Sequence, residues 1–176
     1  MSASGAVIMS VFAAVWWITG GTAAGYGSVR MDAIPVAVTV GVIVLARRWQ
    51  AEDFSSAAER ARRGRLVGIA SGIEGLAIFL AINVLANVGK RDFAVPVIAI
   101  IVGLHFFPQA RWLPARLYYL TGTFLVALGL AGLRLSDTAV RLLTVSIGAA
   151  CVLWLTSVAV LLASATRKSS LRPMPR

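Results

Sequence analysis

Six nearly unbroken apolar runs, separated by short polar interruptions, organise this chain. They extend from Ala6 to Gly27, Ala33 to Ala46, Leu66 to Val88, Phe93 to Phe107, Leu117 to Leu133, and Leu142 to Ala165. At ~1.5 Å rise per residue, about 20 residues of helix cross a hydrocarbon core of ~30 Å. The first, third and sixth runs reach that length and the fifth comes close, so each predicts a membrane-spanning helix. The second and fourth are shorter, and by length alone they also suit segments that dip in and return.

The basic residues decide between these readings. With six spans, one side of the membrane receives Arg47, Arg48, Arg60, Arg62, Arg63, Arg65, Arg111, Arg116, Arg167, Lys168, Arg172 and Arg176. The other receives Arg30, Lys90, Arg91, Arg134 and Arg141, a split of 12 against 5 among the 17 basic residues. If the second and fourth segments returned to their own side, the split would be 8 against 9, and the positive-inside bias that orients membrane proteins would vanish. The expected fold is therefore an all-α integral membrane protein with six transmembrane helices in a single domain, residues 1–176. Both termini, a basic loop 47–65 and a basic tail 167–176 are expected on the cytoplasmic side. The short runs lengthen once Arg47 and Arg48 snorkel, Trp49 takes the interface and the fourth helix runs on towards Pro108.

Each turn on the less basic side ends in an acid: Asp32, Asp92 and Asp137. An Asp just before an apolar run can accept from the orphan N–H groups of the first helical turn, so all three predict helix caps. Pro35 and Pro96 then fall in or just after a first turn, where a missing N–H costs least. The recurrence of these turns, and the echo of Trp16-Trp17-Ile18-Thr19-Gly20 in Tyr118-Tyr119-Leu120-Thr121-Gly122, suggest three tandem helical hairpins. Within the long loop, Ser56-Ala57-Ala58-Glu59 is a capping-box pattern. With Phe54, Ala57, Ala58 and Ala61 on one face, it suggests a short interfacial helix whose arginines meet anionic lipid.

Composition agrees with lipid as the main solvent: 59% of residues are hydrophobic, 14% are charged and the mean hydropathy is +0.83. A soluble domain carries about 25% charged residues. The net charge of +10 is spread in short runs between apolar stretches, which argues for topology rather than nucleic-acid binding. Residues Met1 to Gly5 contain no Lys or Arg, so the first run reads as a retained helix rather than an export signal. Only two of the basic residues, Lys90 and Lys168, are lysines. With abundant Ala, that composition points to a bacterial inner-membrane protein. The single cysteine, Cys151, excludes an internal disulfide or a thiolate cluster and reads as a small buried hydrophobe.

Glu74 is the one acid inside a span. An ionised side chain at bilayer depth costs about 2.5–3.5 kcal/mol on insertion scales, so such residues tend to be paired, neutralised or functional. His105, the only histidine, lies on the returning fourth helix. Glu74 is 14 residues before Val88 and His105 is 12 after Phe93, which sets both at similar depth. A Glu–His pair can hold one proton between its members, as a relay or coupling site requires. Gly68, Ser71, Gly72 and Gly75 form a small-residue stripe on the third helix, which predicts close approach by another helix and a central position. Asn83 and Asn87 share a face suited to interhelical hydrogen bonds. Trp16, Trp17, Tyr118 and Tyr119 are candidate pocket-lining residues.

Residue supply argues against catalysis and against cofactors. One histidine cannot give bis-histidine haem ligation, no metal-ligand cluster is spaced for binding, and Ile69-Ala70-Ser71-Gly72 lacks the first glycine of a GxSG motif. No Walker or Rossmann glycine pattern occurs. At His105-Phe106-Phe107-Pro108 and Tyr118-Tyr119-Leu120-Thr121-Gly122 the chain resembles a family of small bacterial six-helix membrane proteins that brings no activity with it. Two functional classes follow. One is a permease for a small solute or ion with Glu74 and His105 as its protonatable site. The other is a non-transporting scaffold or regulatory protein that assembles with copies of itself or another membrane protein through its small-residue faces.

Overall fold

The computed structural model describes residues 3–48, 56–112 and 116–170, of which 91% are helical and none is in a strand. Six helices follow in order: α1 (Ala3–Ala23), α2 (Val29–Arg48), α3 (Ala57–Asn87), α4 (Ala94–Trp112), α5 (Leu117–Arg134) and α6 (Thr138–Ser170), with a 3₁₀ turn at Arg91–Phe93 before α4. All six are long and apolar enough to cross a membrane. Large side chains such as Ile73, Phe79, Phe124 and Leu155 are more than half exposed on the outer surface, an arrangement that lipid tolerates and water does not.

The short runs of the sequence become full spans because their helices extend into the flanking polar residues. Ser28 accepts a hydrogen bond from the Met31 N–H at 3.3 Å, so α2 starts at Val29 and Asp32 lies inside it rather than capping it. α4 continues through Pro108 to Trp112. Among the three expected Asp caps, Asp137 accepts from the Val140 N–H at 2.8 Å, whereas the Asp92 carboxylate is bonded to the Thr138 hydroxyl at 3.4 Å. Ser56 accepts from the Glu59 N–H at 3.2 Å, but as the N-cap of α3 itself. The helix expected in the loop is therefore the first turns of a 31-residue span, about 46 Å long at 1.5 Å per residue. Residues 49–55, with Trp49 and Phe54, and residues 171–176 of the tail lie outside the described residues. At its other end α3 stops at Gly89, whose φ of +69° lets the Lys90 N–H reach the Leu85 carbonyl at 2.7 Å and the Gly89 N–H reach Ala86 at 3.2 Å, a Schellman closure.

α6 is the hub, packing against α1, α2, α4 and α5. The two helices of each expected hairpin, α1 with α2, α3 with α4 and α5 with α6, do touch, yet the most extensive pairings are α4 with α5 and α1 with α6. Glycine makes the α4–α5 approach possible: a Cβ on Gly103 would stand 2.8 Å from the Gly122 carbonyl, and one on Gly129 would stand 2.6 Å from the Pro96 carbonyl. Polar links tie two further pairs. Thr121 and Thr156 join α5 to α6 at 2.7 Å, and the Thr39 hydroxyl donates to the Ser10 carbonyl at 3.2 Å between α2 and α1.

Three sequence expectations are corrected here. α3 is peripheral, because among the described residues its only substantial α-helix contact is with α4 and only 6% of its apolar window is buried, against 56% for α6. Its glycines have open space: a Cβ on Gly64, Gly68, Gly72 or Gly75 would meet nothing within 4 Å. Asn83 is exposed and donates to the Phe79 carbonyl of its own helix at 2.7 Å, so it makes no interhelical link there. Cys151 is exposed on α6 rather than buried.

Candidate functional site

Because α3 leans on α4 alone, it leaves a gap beside α1, and that gap is a cleft of about 900 Å³. One wall is the α1 face carrying Ile8, Phe12, Trp16 and Thr19; the other is the α3 face carrying Arg60, Gly64, Val67, Ser71, Glu74, Gly75 and Ile78. Val102, His105, Phe106 and Gln109 of α4 form the floor, with Tyr118 of α5 and Ser146 and Leu153 of α6. Of the small residues of α3, Gly64, Ser71 and Gly75 border this cavity, whereas Gly68 and Gly72 lie outside its lining. At the end bearing the arginines, hereafter the basic end, Arg60 and Arg63 also line it, with Arg63 paired to Glu59 at 2.6 Å.

Glu74 and His105 meet in the wall of this cleft, with Glu74 Oε2 3.5 Å from His105 Nε2. Both side chains are largely covered, at 19% and 8% exposure, yet both border the cavity. The pairing follows from the α3–α4 turn, which sends α4 back alongside α3 and brings equal depths together. Two further groups hold the imidazole. The side-chain amide of Gln109, one turn along α4, contacts Nε2, and the backbone of Ala70, one turn before Glu74, lies near the ring. His105 thus has a carboxylate, an amide and a backbone group around it, a setting that fixes ring orientation and lets a proton move between nitrogen and carboxylate.

The aromatic candidates separate. Trp16 and Tyr118 line the cleft, and Tyr118 stacks edge-on against Phe106 at 5.4 Å between ring centres. Trp17 lies elsewhere, 5.8 Å from Trp154 and bonded through its indole N–H to the Met31 carbonyl. Tyr119 packs against Phe107 at 6.0 Å and is 40% exposed. Sequence reasoning missed Gln109, although its position four residues after His105 places it on the same helical face. It also missed Ser146, whose buried hydroxyl has no partner among the described residues. No group of three His, Cys, Asp or Glu that could hold a metal ion occurs among the described residues.

No family model, curated protein or solved structure matches this chain. The resemblance at His105 to Pro108 and Tyr118 to Gly122 therefore adds nothing to the site, which has to be read from its own geometry.

Proposed function

We propose that this protein is a permease of the bacterial inner membrane, with both termini cytoplasmic, and that its solute or ion uses the cleft between α1 and α3. The observation that carries this reading is the position of the Glu74–His105 pair in the wall of a roughly 900 Å³ cavity rather than in a sealed core. A protonatable pair that faces a cavity can exchange a proton with what enters, whereas a sealed pair can only hold helices together. The loose attachment of α3 supports the same reading, since a helix packed on one neighbour can move with little disruption of the core. In this scheme solute binding and proton transfer at Glu74 are coupled, and α3 shifts relative to the α1–α6 body to change access.

A scaffold reading has one observation of its own, the exposed flank of α3 at Gly68 and Gly72, where a second helix would fit. Cysteine accessibility separates the two. Ser71 lines the cleft, so in a Cys151→Ser background Ser71→Cys in proteoliposomes should react with a membrane-impermeant maleimide from at least one side. Complete protection from both sides would remove the aqueous path on which the permease reading depends.

A further inference from the structure

We infer that the cleft binds a lipophilic organic cation, a single positive charge carried in a bulky apolar frame, and that this cation takes the place of the proton held by Glu74 and His105. This names the substrate class of the proposed permease and rests on that reading for transport, though not for binding. The first argument is charge balance. With one proton between them, Glu74 and His105 are together neutral. Without it they carry one negative charge beside an apolar cavity, where an uncompensated charge is costly. One positive charge in the cavity restores neutrality. The cleft meets the acid more than the base: the imidazole is 8% exposed and has Gln109 against it as well as Glu74, whereas the Glu74 side chain is 19% exposed and has His105 as its one polar partner among the described residues.

The rest of the lining leaves that place to a cation. Its other titratable or charged groups are Tyr118 of α5 and Arg60 and Arg63 of α3; α1 and α6 contribute none. The arginines lie 14 and 11 residues before Glu74, about 21 and 16 Å along the helix. Neither is a free charge, since Arg63 is paired with Glu59 and each arginine also engages another group. α1 and α3 make no substantial contact, so a molecule dissolved in the bilayer enters between them at the depth of Glu74 without passing the basic end.

The walls suit an apolar cation. Ile8, Val67 and Val102 give the slot aliphatic surface, against which a small inorganic ion would lose its hydration shell without replacement. Aromatic rings add the apolar surface that attracts positive charge. Phe12 and Trp16 of α1 border the cavity together with Phe106 and Tyr118. Phe106 stands edge-on to the His105 ring at 6.1 Å and to the Tyr118 ring at 5.4 Å, so aromatic surface continues from the proton-holding pair along the floor. A volume of about 900 Å³ lies in the range of sites that take drug-sized molecules.

Tetraphenylphosphonium and tetraphenylborate, ions of nearly the same size and shape with opposite charge, provide the test. Their binding to the detergent-solubilised protein is measured by equilibrium dialysis, with binding to empty micelles subtracted. We expect saturable phosphonium binding at least about tenfold tighter than borate binding. It should tighten as pH rises, by up to about tenfold per unit, because cation and proton compete for one place. Binding should release close to one proton per cation, read with an indicator dye in weakly buffered solution. Glu74→Gln should abolish this release and weaken phosphonium binding at least about tenfold, and Glu74→Asp should retain part of both. A side chain at Gly75 meets open space, so Gly75→Leu should block the phosphonium while keeping the thermal midpoint of the parent and an intact Glu74, and it decides the matter should Glu74→Gln misfold. Equal binding of the two ions, preference for the borate, phosphonium binding untouched by Glu74→Gln or by Gly75→Leu, or no proton release at any pH at which the protein stays folded would each overturn the inference. The permease reading fails separately: binding and proton release as expected, with no protein-dependent movement of phosphonium under a pH gradient in proteoliposomes, refute transport and leave the cation site standing.

Discussion

The indole N–H of Trp17 donates to the main-chain carbonyl of Met31 at 3.2 Å, the carbonyl that Pro35 leaves without its helical partner. In a regular helix the N–H of residue 35 would fill that acceptor, and proline has none. An unfilled carbonyl inside a bilayer is costly, and here a side chain from α1 supplies the missing donor. The same solution recurs at the start of α4. Pro96 frees the carbonyl of Asp92, and the Arg141 guanidinium of α6 reaches it at 3.5 Å. Both prolines, expected to be harmless by position, are instead points where one helix is fastened to another.

Trp17→Phe should therefore lower stability by about 1–2 kcal/mol through an unsatisfied buried acceptor. In a Pro35→Ala background, where the restored N–H fills the Met31 carbonyl, the same change should cost clearly less. Thermal unfolding of the four proteins in detergent gives the coupling directly. Additive losses would mean that Trp17 matters only through its packing on Trp154.

Arg141 should tolerate replacement least among the basic residues of its end of the molecule. It is 4% exposed, donates to the Leu135 carbonyl through Nε at 3.0 Å and again through Nη2, and lies over the Phe93 ring at 4.2 Å. Arg141→Met strands several carbonyls at once and is expected to cost about 2–4 kcal/mol. Arg141→Lys should recover little of this, because a single ammonium cannot span the same acceptors. Lys90→Gln or Arg91→Gln, on exposed side chains, should change the midpoint little. A midpoint unmoved by Arg141→Met would show that the residue serves topology alone, as its sequence position suggested.

The glycines should divide by location. Gly68→Ala and Gly72→Ala meet open space and replace a poor helix former with the best one, so each is expected to be neutral or to stabilise by up to about 1 kcal/mol. Gly103→Ala and Gly129→Ala force α4 and α5 apart and should destabilise by at least that amount. If instead Gly68→Ala or Gly72→Ala lowers stability or dissociates an oligomer seen by crosslinking, α3 is covered by a partner helix.

These contrasts show what the sequence could and could not convey. The six helices were legible because apolar runs and the arginine bias are properties of solvent, which acts on each segment separately. The shared depth of Glu74 and His105 was legible by counting from a tight turn. Helix neighbours were not, since a small-residue stripe reads the same whether it faces a helix or a cavity. The choice between Trp16 and Trp17 was equally hidden, because consecutive helical residues point about 100° apart and only packing decides which faces the cleft. The position of Pro35 misled because Ser28 begins α2 earlier than the apolar run does, whereas Pro96 does lie in the first turn of α4.

The last expectation concerns Glu74 and His105, because their behaviour separates a coupling site from a structural contact. If they exchange a proton during transport, Glu74→Gln should keep the thermal midpoint near that of the parent, since an amide of the same shape can still bond His105. The same variant should abolish proton-linked uptake in proteoliposomes. His105→Gln should lose as much, and the double variant should lose no more than either single one, because groups acting as one unit do not show additive losses. A purely structural pair gives the opposite pattern: Glu74→Gln is mild in every assay, and Glu74→Leu alone lowers the midpoint by leaving the imidazole without its carboxylate. Infrared difference spectroscopy adds a measurement that does not depend on knowing the solute. The carboxyl stretch assigned by Glu74→Gln should change with pH if the pair exchanges protons. A band that never moves at any pH at which the protein stays folded leaves no proton for the cycle to carry.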